Sequence, residues 1–299
     1  MRIAVVFGGA SAERAVSIRS GECVCAALLG KGEDAFALML DGELPSVGEY
    51  AQMRESDAVF LVLHGGAGED GRLQRALEAQ GIYHYTGTGA EGSLFAMNKA
   101  EAKRAVAAFG VRVADGVELE MAGGKVPLAF PFVIKPRNGG SSQGLRVLYT
   151  QADWDALPTP SEPFLCEDYL SGREFSVGVL GGRALPPVEI CTEGALYDYA
   201  HKYTKGATEE LCPAPVSSVR RAELQNMALL AFEALGLRDY ARIDLKEDAN
   251  GRLCFLEANT LPGMTECSLL PLAGRAAGYD MGALCLRMAH MAAKRRRIP

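Results

Sequence analysis

The sequence predicts an α/β fold that opens on a parallel sheet covered on both faces by helices. Three observations carry that reading. Ile3–Phe7 and Ala58–Leu63 are continuous apolar runs, each ending in a glycine-rich turn, and unbroken apolarity marks strands buried on both faces. From about Met97 the texture changes to short strands punctuated by proline and glycine. The last third combines amphipathic helices with a strand–turn–strand unit whose first strand alternates strictly.

Taken in order, Ile3–Phe7 closes on Gly8-Gly9. Ser11 then stands where a helix N-cap is expected, with Gly30 and Gly32 as stop signals. Ala58–Leu63 leads into His64-Gly-Gly-Ala-Gly-Glu-Asp-Gly71. Ligands of parallel sheets collect beyond the carboxyl ends of the strands, where both turns lie. A Lys- and Ala-rich helix is expected from Asn98 to Phe109, then strands over Phe132–Lys135, Leu145–Tyr149, Phe164–Glu167 and Glu174–Leu180. Leu224, Met227, Ala228, Ala231 and Leu235 recur at helical spacing before Gly236. Asp280 is placed to cap a last helix carrying Met281, Leu284, Cys285, Met288 and Ala289.

At 299 residues the chain has room for two domains or three small lobes. Its net charge of −6 argues against a nucleic-acid binder. No apolar stretch approaches the ~20 residues of a membrane span, and the apolar start is too short for a signal peptide. The eight cysteines are scattered without a C-x-x-C pair, so reduced thiols and a cytoplasmic location are expected. The Lys294–Arg297 run reads as a solvated helix end.

The most informative stretch is Tyr240–Lys246, then Glu247–Gly251, then Arg252–Asn259. Asn250-Gly251 predicts a two-residue hairpin turn. That register sets Asp244 opposite Glu257 and Arg242 opposite Asn259, all on one side of the sheet. Facing carboxylates repel unless neutralised. Arg242 is one source of compensation. A divalent metal is another, since carboxylates and an amide oxygen are hard ligands suited to Mg²⁺ beside phosphates. Taken alone, the hairpin also reads as a surface feature with a salt bridge from Arg242.

Asn138-Gly-Gly-Ser-Ser-Gln-Gly144 lies between two expected strands, behind Lys135 and Arg137. Such a turn lets backbone N–H groups close around phosphate oxygens, with Ser141 and Ser142 as added donors. It has neither the Gly-Lys-Ser/Thr of a Walker loop nor a dinucleotide fingerprint. Phe164–Leu170 followed by Ser-Gly-Arg-Glu174 reads as a strand entering a hinge that could offer backbone groups to a purine and Glu174 to a ribose; packing explains the spacing equally well. Tyr197-Asp-Tyr-Ala-His-Lys-Tyr203 reads either as a lid over a reactive intermediate or as an exposed loop.

Together these motifs resemble the ATP-grasp superfamily and, within it, the D-alanine–D-alanine ligases. The match runs from Phe7-Gly-Gly-Ala-Ser-Ala-Glu-Arg14 to Glu257-Ala-Asn-Thr-Leu-Pro-Gly-Met-Thr265 and Ser268-Leu-Leu-Pro271. The resemblance implies a three-lobed architecture: an N-terminal parallel-sheet α/β domain (1–95) and two α+β lobes (96–180 and 181–299) clamping ATP. Lys99, Lys135 and Ser142 would contact the phosphates, Glu167, Leu170 and Glu174 the adenine and ribose, and Lys202 the γ-phosphate from the lid. Asp244, Glu257 and Asn259 match magnesium (or manganese) ligands. Glu13 matches the carboxylate that receives the first D-alanine's ammonium, networked with Ser141 and Tyr203, with His64 close by. Ser268 and Leu269 correspond to contacts of the second D-alanine. Arg242 and the Gly263 N–H are suited to a tetrahedral oxyanion.

The resemblance also implies a homodimer and a role in peptidoglycan precursor synthesis. Asn98 stands where an aspartate is usual, and Tyr169 replaces a common tryptophan. The alternatives are a relative making D-Ala-D-lactate or D-Ala-D-Ser, a non-catalytic nucleotide-binding module, and a nicotinamide-dependent oxidoreductase. Tyr203 in its Lys-Tyr context favours the dipeptide ligase over a hydroxy-acid ligase, whose lid tends to carry histidine. Glu13 and all three metal-ligand positions are retained, which weighs against the module.

Overall fold

In the computed structural model, which describes residues 1–120, 125–140, 144–158, 163–192 and 208–297, the apolar runs form two neighbouring strands of a parallel sheet. Strands β1 (Arg2–Gly8), β2 (Asp34–Leu40) and β3 (Ala58–Leu61) pair in the order β2-β1-β3. Ile3, Val5 and Phe60 point to one face, and Val6, Val59 and Leu61 to the other. Helix α1 (Arg14–Leu29) covers the first face with Val24 and Leu28. Met53 of α2 (Val47–Glu55) and Leu73 and Leu77 of α3 (Arg72–Ala79) cover the second. Ala35–Leu40 of β2 is also an unbroken apolar run, but at this edge of the sheet Asp34, Ala37 and Met39 are exposed.

The start of α1 corrects one expectation. The N-cap is Glu13, not Ser11. The Ser11 hydroxyl accepts from the Glu13 N–H (3.1 Å) and donates to the His64 carbonyl (2.5 Å), so it ties the two glycine-rich turns together.

Helices α4 (Ala90–Met97) and α5 (Lys99–Ala108) lead into the central lobe. Asn98 caps α5 by accepting from the Glu101 N–H, a role that asparagine fills as well as aspartate. Strands β4 (Gly116–Leu119), β5 (Phe132–Pro136), β6 (Arg146–Leu148) and β7 (Phe164–Asp168) form an antiparallel sheet in the order β4-β7-β5-β6, joined on the way by α6 (Gln151–Asp155). Phe132, Ile134, Phe164 and Cys166 pack with Trp154 of α6 on one face. By alternation, Val133, Lys135 and Glu167 are left on the other.

The third sheet joins β8 (Glu174–Leu180), β9 (Arg183–Ala184), β10 (Val188–Thr192), β11 (Thr208–Leu211), β12 (Tyr240–Glu247) and β13 (Leu253–Asn259). Its order is β11-β10-β8-β12-β13, with β9 paired to β8. A boundary at residue 180 therefore separates β8 from its own sheet, since β8 runs between β10 and β12. α7 (Ser218–Ala234) lays Leu224, Ala228 and Ala231 on Val177, Ile243, Leu245 and Phe255. α8 (Leu269–Ala276) and α9 (Met281–Ala293) follow, and Asp280 caps α9 through the Ala283 N–H. Leu284, Cys285, Met288 and Ala289 of α9 pack in one cluster with Ile3, Val5 and Phe60, so the last helix closes the core of the first sheet.

Two further expectations are corrected. The basic run is not simply solvated: Arg295 is engaged by Asp239 and by the Tyr83, Tyr85 and Met291 carbonyls. The hairpin turn is also longer than the Asn-Gly signal predicts. Asp248 and Arg252 close a three-residue loop, with Gly251 at φ +73°. That shifts the pairing by one residue, so Leu245 faces Phe255. A bulge at Leu256 then restores the register, and Asp244 faces Glu257 and Arg242 faces Asn259. The eight cysteines are free thiols.

Candidate active site

A cleft of about 910 Å³, counting its open mouth, lies between the exposed face of β5–β7 and the matching face of β12–β13. Val133, Leu145, Leu170 and Leu256 supply apolar walls, while Lys99, Lys135, Asp244 and Glu257 bring charge into the same space. The bulge places Leu256 beside Glu257 in the cleft wall, an apolar surface next to a carboxylate.

The central-lobe side is built on three buried charges. Glu167 of β7 lies 2.7 Å from the Lys135 ammonium of β5 and 2.5 Å from Lys103 of α5. Burial disfavours the Glu167 carboxylate, but the two lysines outweigh it and hold its pKa down at about 2. Burial and the neighbouring Lys135 lower Lys103 to about 8, against the pull of Glu167. Lys99, one helical turn before Lys103, donates to the Gly139 carbonyl at the edge of the glycine-rich turn.

The opposite side is a row on β12 and its neighbours. Asp244 accepts from Ser176 Oγ (2.7 Å) and from Arg242 through Nε (3.0 Å) and a terminal nitrogen (2.9 Å). Lys246 pairs with Glu174 at 2.8 Å. The Asn259 amide oxygen accepts from the Leu261 N–H at 3.0 Å. No three His, Cys, Asp or Glu side chains gather at one point among the described residues. The donor set is two facing carboxylates and a neighbouring amide, all hard oxygens beside a cationic cleft. It fits a divalent cation of the Mg²⁺ type, which takes one or two carboxylates and completes its shell with phosphates and water.

The first lobe contributes the two turns expected to hold ligands. Glu13 is buried, with a carboxylate oxygen so close over Gly65 that a β-carbon there would sit 2.7 Å from it. Glu69 has only 12% of its side chain exposed. Its burial and the adjacent Glu13 raise its pKa to about 8, while the Gly65 N–H and Arg242 pull it down. His64 is buried and faces the Leu261 carbonyl through Nδ1 (3.0 Å) and Ser20 Oγ through Nε2 (3.2 Å). A carbonyl only accepts, so Nδ1 carries the proton and Nε2 accepts from Ser20. Burial lowers the His64 pKa and keeps the ring neutral. His64 is thus a strut between the first lobe and the segment after Asn259, with both nitrogens engaged.

Ser268 is the N-cap residue of α8. Its hydroxyl meets Thr265 Oγ1 at 2.8 Å and accepts from the Thr265 N–H. A β-carbon on Gly263 would come within 2.9 Å of that oxygen, so Gly263 and Ser268 are adjacent. Leu269 is buried in the core shared with the first lobe, and Leu170 packs with Ala114 and Cys254. The structure thus groups Lys99, Lys135, Glu167, Glu174, Asp244 and Glu257 around one cleft. Ser141, Ser142, Lys202 and Tyr203 lie outside the described residues. Sequence reasoning missed Lys103, although its i+4 spacing from Lys99 was a signal, and Glu69, which stands within the quoted glycine-rich motif. Ser176 gave no signal, because it reaches Asp244 by strand pairing.

The family model described as D-ala D-ala ligase C-terminus matches residues 114–290. A D-alanine–D-alanine ligase of Stutzerimonas stutzeri is 39% identical over 293 residues, covering 95% of this chain and 92% of the relative. One from Methylacidiphilum infernorum is 38% identical over the same length. Among solved structures, the D-alanine–D-alanine ligase of Bacillus anthracis complexed with ATP superposes with a TM-score of 0.82 at 27% identity, covering 99% of each chain. The VanG D-Ala:D-Ser ligase of Enterococcus faecalis superposes with a TM-score of 0.81 at 25% identity, over 97% of this chain and 98% of that one. By its sequence and its fold alike, this chain belongs to the D-alanine–D-alanine ligase family.

Proposed function

We propose that the chain joins two D-alanines in an ATP-dependent reaction that releases ADP and phosphate. The observation that carries this reading is the opposition, across one cleft, of the Lys99 and Lys135 ammonium groups to the facing carboxylates Asp244 and Glu257. Cations on one wall suit a triphosphate, and the apolar walls beside them suit a base.

The carboxylate of the first D-alanine attacks the γ-phosphorus, ADP leaves, and an acyl phosphate forms. Lys99 and Lys135 offset the charge that concentrates on the phosphoryl oxygens. Asp244, Glu257 and Asn259 would hold Mg²⁺ or Mn²⁺, which when bound neutralises further phosphate charge. Glu13 holds the ammonium of the first D-alanine, with Ser141 and Tyr203 as partners and His64 bracing the turn beside it. The second D-alanine, seated by Ser268 and Leu269, attacks the acyl carbon through its amine. Arg242 and the Gly263 N–H stabilise the resulting oxyanion, and phosphate leaves; one such donor is typically worth ~3 kcal/mol of barrier. Glu167 and Leu170, through their backbone groups, and Glu174 serve the nucleoside, Ser142 the phosphates, and Lys202 and Tyr203 the exclusion of water from the intermediate.

Family membership carries the wider reading of a cytoplasmic homodimer that supplies peptidoglycan precursors. Among the described residues no helix is long and apolar enough to cross a membrane. A coupled assay with ATP, Mg²⁺ and D-alanine tests the activity: D-alanine-dependent phosphate release with D-alanyl-D-alanine as product is expected. ATP binding without turnover overturns it, as does faster product formation with D-lactate or D-serine as second substrate.

A further inference from the structure

Lys103 carries no role in the reading above, yet it belongs to the most buried charge cluster of the cleft. Its ammonium lies 2.5 Å from one oxygen of Glu167, and Lys135 lies 2.7 Å from the other. All three side chains are less than 10% exposed. Lys135, Glu167, Lys99 and Glu257 line the cleft, whereas Lys103 is not part of its lining.

The charge count gives the arrangement its meaning. Glu167 with Lys135 alone would be a closed, neutral pair, and a carboxylate 2.7 Å away would hold Lys135 against the incoming phosphates. A second buried lysine behind Glu167 leaves the triad with one net positive charge. The exposed-side member, Lys135, is the one that faces the ligand. Glu257 also bears electrostatically on Lys135 from across the cleft, which increases the need to neutralise Glu167.

We propose that Lys103 is a positioning residue that neutralises Glu167 from behind and so frees the charge of Lys135 for the ATP phosphates. Lys103 itself touches no substrate. The inference rests on the cleft being the ATP site, and it makes a demand which that reading does not: removing Lys103 must weaken binding of the phosphates and not of the nucleoside.

The test is calorimetric binding of ATP and of adenosine, each with Mg²⁺, to the intact protein and to K103M, K103R and K103M/E167Q. K103M is expected to bind ATP about tenfold more weakly, the worth of one charge-assisted contact, with adenosine unchanged. K103R, which keeps the charge, should stay within about threefold of the parent for ATP. K103M/E167Q removes the carboxylate together with its neutraliser and should recover ATP affinity relative to K103M. Equal loss of ATP and adenosine in K103M overturns the inference, as does a double variant no better than K103M. Should K103M fail to fold, the double variant decides, because it keeps the single net positive charge of the triad, now carried by Lys135 alone: retained adenosine binding with lost ATP binding overturns the proposal. Failure of the parent protein to bind ATP overturns the reading of the cleft itself.

Discussion

The guanidinium of Arg295 lies across the carboxylate of Asp239, its terminal nitrogens 2.9 and 2.7 Å from separate oxygens. Asp239 holds a left-handed backbone at φ +60°, immediately before the strand that carries Arg242 and Asp244. Its carboxylate also accepts from the Gly87 N–H at 3.0 Å. The pair therefore fastens the first lobe, the strand that carries Arg242 and Asp244, and the end of the last helix at one point. With side chains only 15% and 6% exposed, the pair is largely shielded from water. Breaking such a pair by removing one partner costs about 3 kcal/mol or more. R295A is expected to lose that much in urea unfolding, and the loss should change little with added salt.

Glu257→Gln is expected to lower D-alanine-dependent phosphate release by about a hundredfold or more, even at saturating Mg²⁺. The side chain stands at a cleft wall and is partly exposed, so stability should change by about 0.5 kcal/mol at most. Activity near that of the parent would remove Glu257 from the site.

The buried Glu69 carboxyl makes stability depend on pH in a definite direction. Its folded pKa of about 8 lies above its ordinary 4.5, so between those values the folded protein binds more protons than the unfolded chain. Stability contributed by this group therefore falls as pH rises from about 4.5 to 8. Relative to the parent, E69Q should gain stability over that window, by an amount of the order of a few kcal/mol. Urea unfolding at several pH values, without nucleotide or divalent cation, measures the difference. A gap that does not widen with pH contradicts the assignment.

His64 has the opposite sign. Burial lowers its pKa below the ordinary 6.5, so the folded state resists the proton that the unfolded chain accepts. Its contribution is fully present above about 6.5 and is lost as pH falls through the folded value. H64L should abolish that acid-side slope. It should also cost about 2 kcal/mol at pH 7.5, because the Leu261 carbonyl and the Ser20 hydroxyl lose their partner.

The first sheet was legible in the sequence because β1 and β3 are buried on both faces, which writes an unbroken apolar run. Ala35–Leu40 of β2 is just as apolar in sequence, so its edge position, with Ala37 and Met39 exposed, shows only in the structure. The opposition of Asp244 and Glu257 was legible, although the route to it was not: turn length and bulge each moved the register by one residue and offset each other. Ser176 needed the third dimension, arriving by strand pairing, while Lys103 was visible at i+4 from Lys99 but gains its meaning only from the Glu167 carboxylate beside it. Arg295 looked like surface charge, because a run of basic residues shows nothing of a carboxylate 56 positions earlier in the chain.

The seat of α9 against β1 and β3 has a consequence for how the molecule is made. During synthesis the first sheet emerges from the ribosome more than two hundred residues before the helix that seals it. Until residues 281–293 have been translated, the side of Ile3, Val5 and Phe60 that α9 covers is open to water. The opening strands must then wait, guarded by α1 alone or by a chaperone, and chains that stop short of Met281 would be sticky fragments rather than smaller enzymes.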